Sequence, residues 1–394
     1  MDFSLSEEQQ AVAEAATTLL TGLVDISRVV AAEQSEDAVD RDLWAALAGA
    51  DLLGLAVPER YGGAGYGLME LCLLLQAQGN VVAPVPLWAT LVLGALPLAR
   101  FGHPAQQGRW LPGVVAGDVM LTAALTGCAN GVHALPSVEA TPHVGGWALN
   151  GIELAVPQAH LAACILVPAR SPDGRVLIAL VNPRSPGVSL ERAVTTNREI
   201  HPHLHLNHVI VLSGDILAGP ESGRKVLDDM LVAATTALCA LQVGVCEEAL
   251  RRTAAHLNQR TQFGRPLSTF QGTMLRAADA AIDIEAMRVT LLRAAWLFDS
   301  GRDATDAAGV AKWQASERGQ RTVHATQHLH GGLGADITYP IHRYFLWGKQ
   351  LELLLGGPSL QLSRLGERIA ANAMTANANT GNANTGNAKT GAPS

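Results

Sequence analysis

Arg260-Thr261-Gln262-Phe263-Gly264-Arg265-Pro266-Leu267-Ser268-Thr269-Phe270-Gln271 lies between two long segments of helical apolar periodicity. Gly264 and Pro266 break the helix before it. Ser268, with Gln271 three residues later, spells a capping box for the helix after it. The stretch is therefore expected to be a helix-turn-helix corner. Taken singly, its residues have plain explanations: Gln271 caps, Phe263 packs, and Arg260 is a cation at a helix C-terminus, where the macrodipole favours one.

Working outward, residues 231–246 run without a charge, as expected of a helix at the centre of a bundle, apolar nearly all round. Helical patterns dominate from Gly219-Pro220 to about Ala370. Earlier, residues 120–218 favour short β-type runs, such as Val176-Leu177-Ile178-Ala179-Leu180-Val181, with Asn150-Gly151 as a two-residue hairpin signal and Asp173-Gly174 as a second turn. The first third is expected to be all helical. It begins at a cap-rich Ser6-Glu7-Glu8-Gln9, has a second helix through Leu43-Trp44-Ala45-Ala46-Leu47 that stops near Gly54, and continues through helical stretches at 68–78, 87–100 and 106–115. From Ala373 a repeat of Asn, Ala, Thr and Gly offers nothing to bury and is expected to be disordered. The expected domains are 1–118 (helical), 119–218 (β), 219–371 (helical bundle) and 372–394 (tail).

The 394 residues carry 28 basic and 35 acidic side chains, a net charge of -7, without the basic block that marks a nucleic-acid surface. Five scattered cysteines, none in a Cys-x-x-Cys pair, point to a reducing cytoplasmic setting without a structural metal. The acidic start does not fit a signal peptide. Residues 81–99 are uncharged over a membrane-spanning length, but Pro84, Pro86 and Pro97 break the hydrogen bonding that hydrocarbon demands. That segment is expected to be an extended entry into a buried helix of a soluble protein. His201, His203 and His205 alternate, with His208 nearby, yet no cysteine or close acidic pair joins them, so a polar strand is expected rather than a metal site.

Arg-x-x-Phe-Gly, with Phe-Gln beginning seven positions after its phenylalanine, resembles the acyl-CoA dehydrogenase family. So do Asp2-Phe3 and Gln9, Pro58-Glu59-Arg60-Tyr61-Gly62-Gly63-Ala64-Gly65, Ala124-Leu125-Thr126, Asn150-Gly151, and His330-Gly331-Gly332-Leu333-Gly334 before Tyr339-Pro340, all in family order across roughly residues 1–370. The resemblance implies an α+β multidomain fold: an N-terminal helical domain, a middle β-barrel or sandwich, and a C-terminal four-helix bundle. FAD would lie between the last two. It further implies that Arg260, Phe263 and Gln271 hold the FAD of a neighbouring subunit, with His328, Gly331, Gly332 and Thr126 as further flavin contacts.

The family's chemistry removes a proton from the α-carbon of an acyl-CoA thioester while hydride leaves the β-carbon for the flavin, which requires a general base. The family's Glu-Gly-Thr base motif aligns with Leu355-Gly356-Gly357, and the alternative base position on the buried helix aligns with Ala234. Neither is a base. Glu352, Glu247 and Glu248 are nearby carboxylates, with Glu352 a weak substitute. Ala124-Leu125-Thr126 is followed by Gly127-Cys128-Ala129 where relatives have Glu-Pro-Gly, and Leu154-Ala155-Val156-Pro157 replaces an aromatic-Ile-Thr flavin cradle. The half of a site that serves a neighbour is thus kept, while the half serving the chain's own flavin is depleted. This asymmetry, with the run from His342-Arg343-Tyr344-Phe345-Leu346 to Leu355-Gly356-Gly357, resembles the base-free subunit of bacterial heterotetrameric acyl-CoA dehydrogenases acting on steroid side chains. A homologous partner subunit would supply the base and an electron-transfer flavoprotein would accept the electrons. The rival expectations are a self-sufficient dehydrogenase using Glu352 and a flavin-free acyl-CoA-binding scaffold.

Overall fold

The computed structural model describes residues 4–129 and 135–386, leaving aside the side chains of 372 and 374–386. Asp2-Phe3 lies outside the described residues.

Helix α1 (Glu7–Leu23) starts at Ser6, whose hydroxyl accepts from the Gln9 amide while the Gln9 side chain reaches back, the reciprocal cap that the sequence predicts. A helix not anticipated, α2 (Ile26–Gln34), comes next with Asp25 as its cap. Helix α3 (Arg41–Gly49) stops earlier than expected, because Asp51 turns left-handed (φ 59°) into a short 3-10 turn over Leu52–Gly54. Helix α4 (Leu68–Val81) takes its N-terminal cap from far along the chain: the Asp299 carboxylate accepts from the amides of Leu68 and Met69, both at 2.8 Å. After Val82 (φ 47°) the proline-rich segment bends into a π-helical stretch over Trp88–Ala95 that continues as α5 (Leu96–Phe101), buried almost throughout. Helix α6 (Pro104–Val115) closes this part.

The middle of the chain forms β1 (Leu121–Ala123), β2 (Val138–His143), β3 (Gly146–Glu153), β4 (Cys164–Arg170), β5 (Val176–Val181), β6 (Val188–Glu191), β7 (His203–Leu212) and β8 (Ile216–Ala218). They make one sheet in the order β6-β7-β3-β2-β4-β5-β8, with β1 parallel to β4. Asp173-Gly174 lies in the β4–β5 turn, as predicted. Asn150-Gly151 does not make a hairpin. The β2–β3 turn is at Val144-Gly145, and Asn150-Gly151 sits inside β3 where the pairing with β7 shifts register. Gly151 (φ 141°) supplies the bulge, and the Asn150 side chain accepts from the His208 amide at 2.8 Å. The sequence signal was for a left-handed residue, and a bulge uses one as readily as a turn does.

The bundle consists of α7 (Gly223–Gln259), α8 (Gln271–Asp299), α9 (Thr305–Leu329), α10 (Ile341–Leu353) and α11 (Pro358–Gly386). The uncharged run lies within α7, whose most apolar window is 89% buried in the protein. Helices α4 and α7 approach so closely that a Cβ on Gly79 would stand 2.3 Å from the Leu241 carbonyl oxygen, and one on Gly244 2.0 Å from that of Gln76. Only glycine allows this contact, which locks the first helical layer onto the bundle. Helix α11 continues to Gly386 through part of the repeat expected to be disordered, in which the recurring alanines favour a helix and the Asn, Thr and Gly between them do not. Residues 387–394 lie outside the described residues.

Candidate functional site

The Arg260–Gln271 corner begins where α7 ends at Gln259. The Arg260 amide donates to the His256 carbonyl (2.8 Å), and the Arg260 carbonyl accepts from the Leu267 amide (2.8 Å). Between them stands a two-stranded hairpin, β9 (Thr261–Gln262) with β10 (Arg265–Pro266), turned by Phe263 and Gly264, both at positive φ (53° and 78°). Two left-handed residues in sequence match the sharp turn that short hairpins prefer. The predicted Ser268–Gln271 capping box does not form. Phe270 occupies the N-cap without a side-chain bond, and Thr273 instead donates to the Leu267 carbonyl at 2.6 Å. A short 3-10 turn over Leu267–Thr269 has taken the place of a capped entry.

The hairpin projects a large apolar side chain into solvent. Phe263 is 91% exposed, its ring edge-on to Phe270 at 6.2 Å, and the Arg265 guanidinium lies 4.1 Å from the Phe270 ring centre. Arg260 and Gln271 are exposed beside it. A phenylalanine held left-handed costs about 1–3 kcal/mol in strain, and with only the edge of Phe270 against an otherwise exposed ring it gains little within this chain, which marks the corner as a surface built for contact.

His328, in the last turn of α9, and Gly331 and Gly332 beyond it are also exposed, and a Cβ on either glycine would meet nothing within 4 Å. Both glycines therefore leave open space beside their Cα atoms, room for a close approach from outside. Two residues to which the sequence reading gave no role join this loop to the corner. His256 of α7 and His330 stack at 4.6 Å, and His330 Nδ1 bonds the Thr326 carbonyl (2.8 Å). Burial holds both imidazoles below their ordinary range, as do Arg260 beside His256 and His256 itself beside His330. His330 stands in the quoted His-Gly-Gly run, but its partner lies 74 positions upstream and only the bundle brings the two together.

The β-domain residues that the family resemblance sets beside a flavin are engaged within the chain. Thr126 donates its hydroxyl to the Ala155 carbonyl (3.4 Å). Glu153, buried, accepts from the Gly127 amide and the Ser137 hydroxyl, and burial raises its pKa. Where the β-sheet, the first helical layer and the bundle meet, the cavity has a volume of 20 Å³, lined by Gln78, Trp88, Gln158, Glu199, His201 and Leu351 among others. That is room for about one water. Trp88 occupies the space and donates its indole N–H to the Ala234 carbonyl (3.1 Å). Ala234 is fully buried, and Leu355 is 4% exposed in a left-handed turn (φ 57°).

The nearby carboxylates are engaged elsewhere: Glu352 pairs with Lys349, Glu247 with Arg288 and Gln76, and Glu248 with Arg251 and Arg252. The histidines also have separate partners. His201 faces Glu199 (3.3 Å), His203 Nδ1 accepts from the Ala155 amide (3.0 Å), and His205 meets Glu191 (3.1 Å). Among the described residues no group of three or more His, Cys, Asp or Glu could hold a metal ion.

A larger cavity of 610 Å³ opens between Cys128, the first half of α7, α9 and α11. Leu231, Val232, Ala308 and Leu365 form apolar walls, with Arg224 and Arg364 at its edge. Its volume suits a small-molecule ligand.

Helical layer, β-sheet and helical bundle in this order, with the projecting Arg-x-x-Phe-Gly corner, define an acyl-CoA dehydrogenase fold. The family patterns for the acyl-CoA dehydrogenase N-terminal and C-terminal domains match residues 6–118 and 221–370. The chain is 35% identical to acyl-CoA dehydrogenase FadE27 of Mycobacterium tuberculosis (strain ATCC 25618 / H37Rv) over 94% of its own length and 99% of the relative's, and 37% identical to FadE28 of the same organism over 93% and 99%. Among solved structures it resembles the Tcur3481-Tcur3483 steroid ACAD (TM-score 0.88, 47% identity, 94% of this chain and 100% of that one) and the ChsE4-ChsE5 complex from Mycobacterium tuberculosis (TM-score 0.88, 35% identity, 94% and 99%). This chain belongs to the acyl-CoA dehydrogenase family of FAD-dependent oxidoreductases. The residues of the projecting corner and the loop beside it fit a flavin nucleotide held from outside: a cation, an amide side chain, an imidazole and two exposed glycines. The 20 Å³ cavity at the junction has no room for a flavin ring.

Proposed function

We propose that this chain is the base-free subunit of a cytoplasmic α2β2 acyl-CoA dehydrogenase that desaturates a CoA ester of a steroid side chain. A homologous partner subunit supplies the catalytic carboxylate, and an electron-transfer flavoprotein takes the electrons. The observation that carries this reading is the contrast between the exposed corner and the 20 Å³ junction with Ala234 and Leu355 at the two base positions. When bound, FAD supplies the hydride acceptor. This chain's part is to hold its phosphates and adenine from outside, through Arg260, Phe263, Gln271, His328, Gly331 and Gly332, with Thr126 turned inward. The relatives' complexes with a second chain type support the assembly.

Visible absorbance of the chain purified alone and with its candidate partner tests the proposal. About one FAD per two chains, only in the mixture and bleached by the CoA ester, is the expected result; a lone chain with a full, bleachable flavin overturns it. Glu352→Gln is expected to leave turnover of the complex within about twofold, since general-base loss costs roughly 10²- to 10⁴-fold and Glu352 is engaged by Lys349. A steady-state rate reduced to that extent would restore Glu352 as a base.

One observation favours a second reading. The 610 Å³ cavity has the size and apolar walls for an acyl chain and is lined by Arg224, Arg364 and Arg368 against Asp228 and Glu367, so a flavin-free acyl-CoA-binding role predicts micromolar or tighter calorimetric binding of a CoA ester to the colourless lone chain.

A further inference from the structure

The loop that follows α9 is held by its two ends. Of residues 331–338 only Gly334 is buried, and a Cβ there would stand 2.3 Å from the Gln327 carbonyl oxygen. Before the loop stands His330 (4% exposed) and after it Tyr339, half-buried against the core, their ring centres 5.3 Å apart. His330 also stacks on His256 at 4.6 Å, the two planes inclined by 23°. Three rings thus tie together the end of α7, the end of α9 and the entry to α10. The flavin contacts proposed above begin where this cluster stops: Arg260 follows His256 by one helical turn, and Gly331, at φ 60°, follows His330 directly.

The hydrogen bonding of His330 fixes its charge. Its Nδ1 bonds the Thr326 carbonyl (2.8 Å), which can only accept, so the ring proton sits on Nδ1 and Nε2 is left as a bare acceptor. Nε2 is buried without a hydrogen-bond partner among the described residues. A second proton would therefore bury an N–H with nothing to receive it and set a cation against the His256 ring. The neighbours offer no relief. Arg260 acts on His256 and His256 on His330, the Tyr339 phenol faces the pair from the entry to α10, and no carboxylate among the described residues acts on either ring.

We infer that His256 and His330 are positioning residues for the flavin-holding half-site: their neutral stack fixes the glycine loop relative to Arg260, and protonation of the stack releases it. The inference rests on the reading of the corner given above and adds two residues that need not touch the flavin. His328 is a contact in that reading, and a proton there would favour the flavin phosphates. Acid therefore tightens binding through His328 and loosens it through the stack, so the direction of the pH profile separates a contact from a positioning role.

FAD retention by the co-expressed complex on gel filtration, followed from about pH 8 to about pH 5.5, tests the inference. Both imidazoles are held below their ordinary 6.5, so the stack is neutral above that pH and retention is expected to fall only as the pH drops below it. His256→Ala removes the stack and is expected to lower retention roughly 3- to 10-fold already at about pH 8, the scale of one aromatic pair. His256→Phe keeps a stacked ring that takes no proton; it is expected to restore retention and to weaken the fall in acid. If Arg260→Ala loses FAD while His256→Ala keeps it, or if His256→Phe follows the original acid profile, the stack has no positioning role. If neither Arg260→Ala nor His256→Ala changes retention, the reading of the corner fails and this inference with it. The lone chain gives a readout without flavin: amide exchange across residues 330–335 is expected to quicken in His256→Ala but not in His256→Phe. Equal exchange in all three chains overturns the inference whatever the corner binds.

Discussion

Replacing Arg260 with alanine is expected to weaken FAD binding by the assembled complex roughly 10- to 150-fold, the cost of one charge-assisted hydrogen bond of about 1.5–3 kcal/mol. The substitution leaves the corner itself intact. Arg260 contributes to the hairpin through its amide and carbonyl, bonded to His256 and Leu267, and its side chain is exposed. Retention of FAD on gel filtration should fall, with turnover recovering at high added FAD and thermal stability of the lone chain unchanged. A companion variant separates function from architecture. Phe263 sits at φ 53°, where glycine is at ease, so Phe263→Gly relieves backbone strain. It is expected to preserve or raise stability while lowering FAD retention several-fold. If FAD retention stays within twofold of the original in both variants, the corner has no flavin to hold.

The family-bearing corner is legible in sequence because its residues are local: a turn, an arginine and a phenylalanine within a dozen positions. The order of helical and β segments is legible for the same reason, since the change of apolar period at about residue 120 needs no distant partner. What failed was chemistry with two possible local uses. Ser268 and Gln271 have the spacing of a cap, but the 3-10 turn before α8 takes that position. Asn150-Gly151 has the composition of a turn, but β3 uses it as a bulge against β7. Long-range pairings had no local signal at all. Asp299 capping α4 across 231 residues and His256 stacking on His330 exist only because the bundle closes. Trp88 bonding the Ala234 carbonyl and Glu153 taking the Gly127 amide likewise left no local signal in the sequence.

Lys312, within Ala311-Lys312-Trp313, has the local sequence of an ordinary surface lysine. It falls, however, on the face of α9 that carries Ala308, Ala311, Ala315 and Gly319, and is fully buried. Its ammonium donates to the carbonyls of Leu351 (2.7 Å) and Glu352 (3.0 Å) and to the Ser316 hydroxyl (3.0 Å), placing a cation at the negative end of α10. Immediately after come Leu355 and Gly356 at φ 57° and 99°, the turn with which the resemblance aligns the family's base motif. Burial lowers the Lys312 pKa from 10.5 to about 8, against the upward pull of Cys239 and Glu352. A depressed lysine binds its proton less well folded than unfolded. Its contribution to stability is therefore complete above about pH 10.5 and lost as pH falls through about 8. One pKa unit corresponds to about 1.4 kcal/mol, so the stability of the protein relative to Lys312→Met should rise by ~3 kcal/mol across that window. Comparing the two chains cancels the opposing titration of the buried cysteines, which both retain. Urea unfolding of each at about pH 7.5, 9 and 10.3 measures the difference, and parallel curves would show that Lys312 is not the group responsible. In the same variant the Leu351 and Glu352 carbonyls lose their donor, so amide exchange across residues 351–357 should quicken first. The turn at the base position is then held by a charge from α9 rather than by its own sequence.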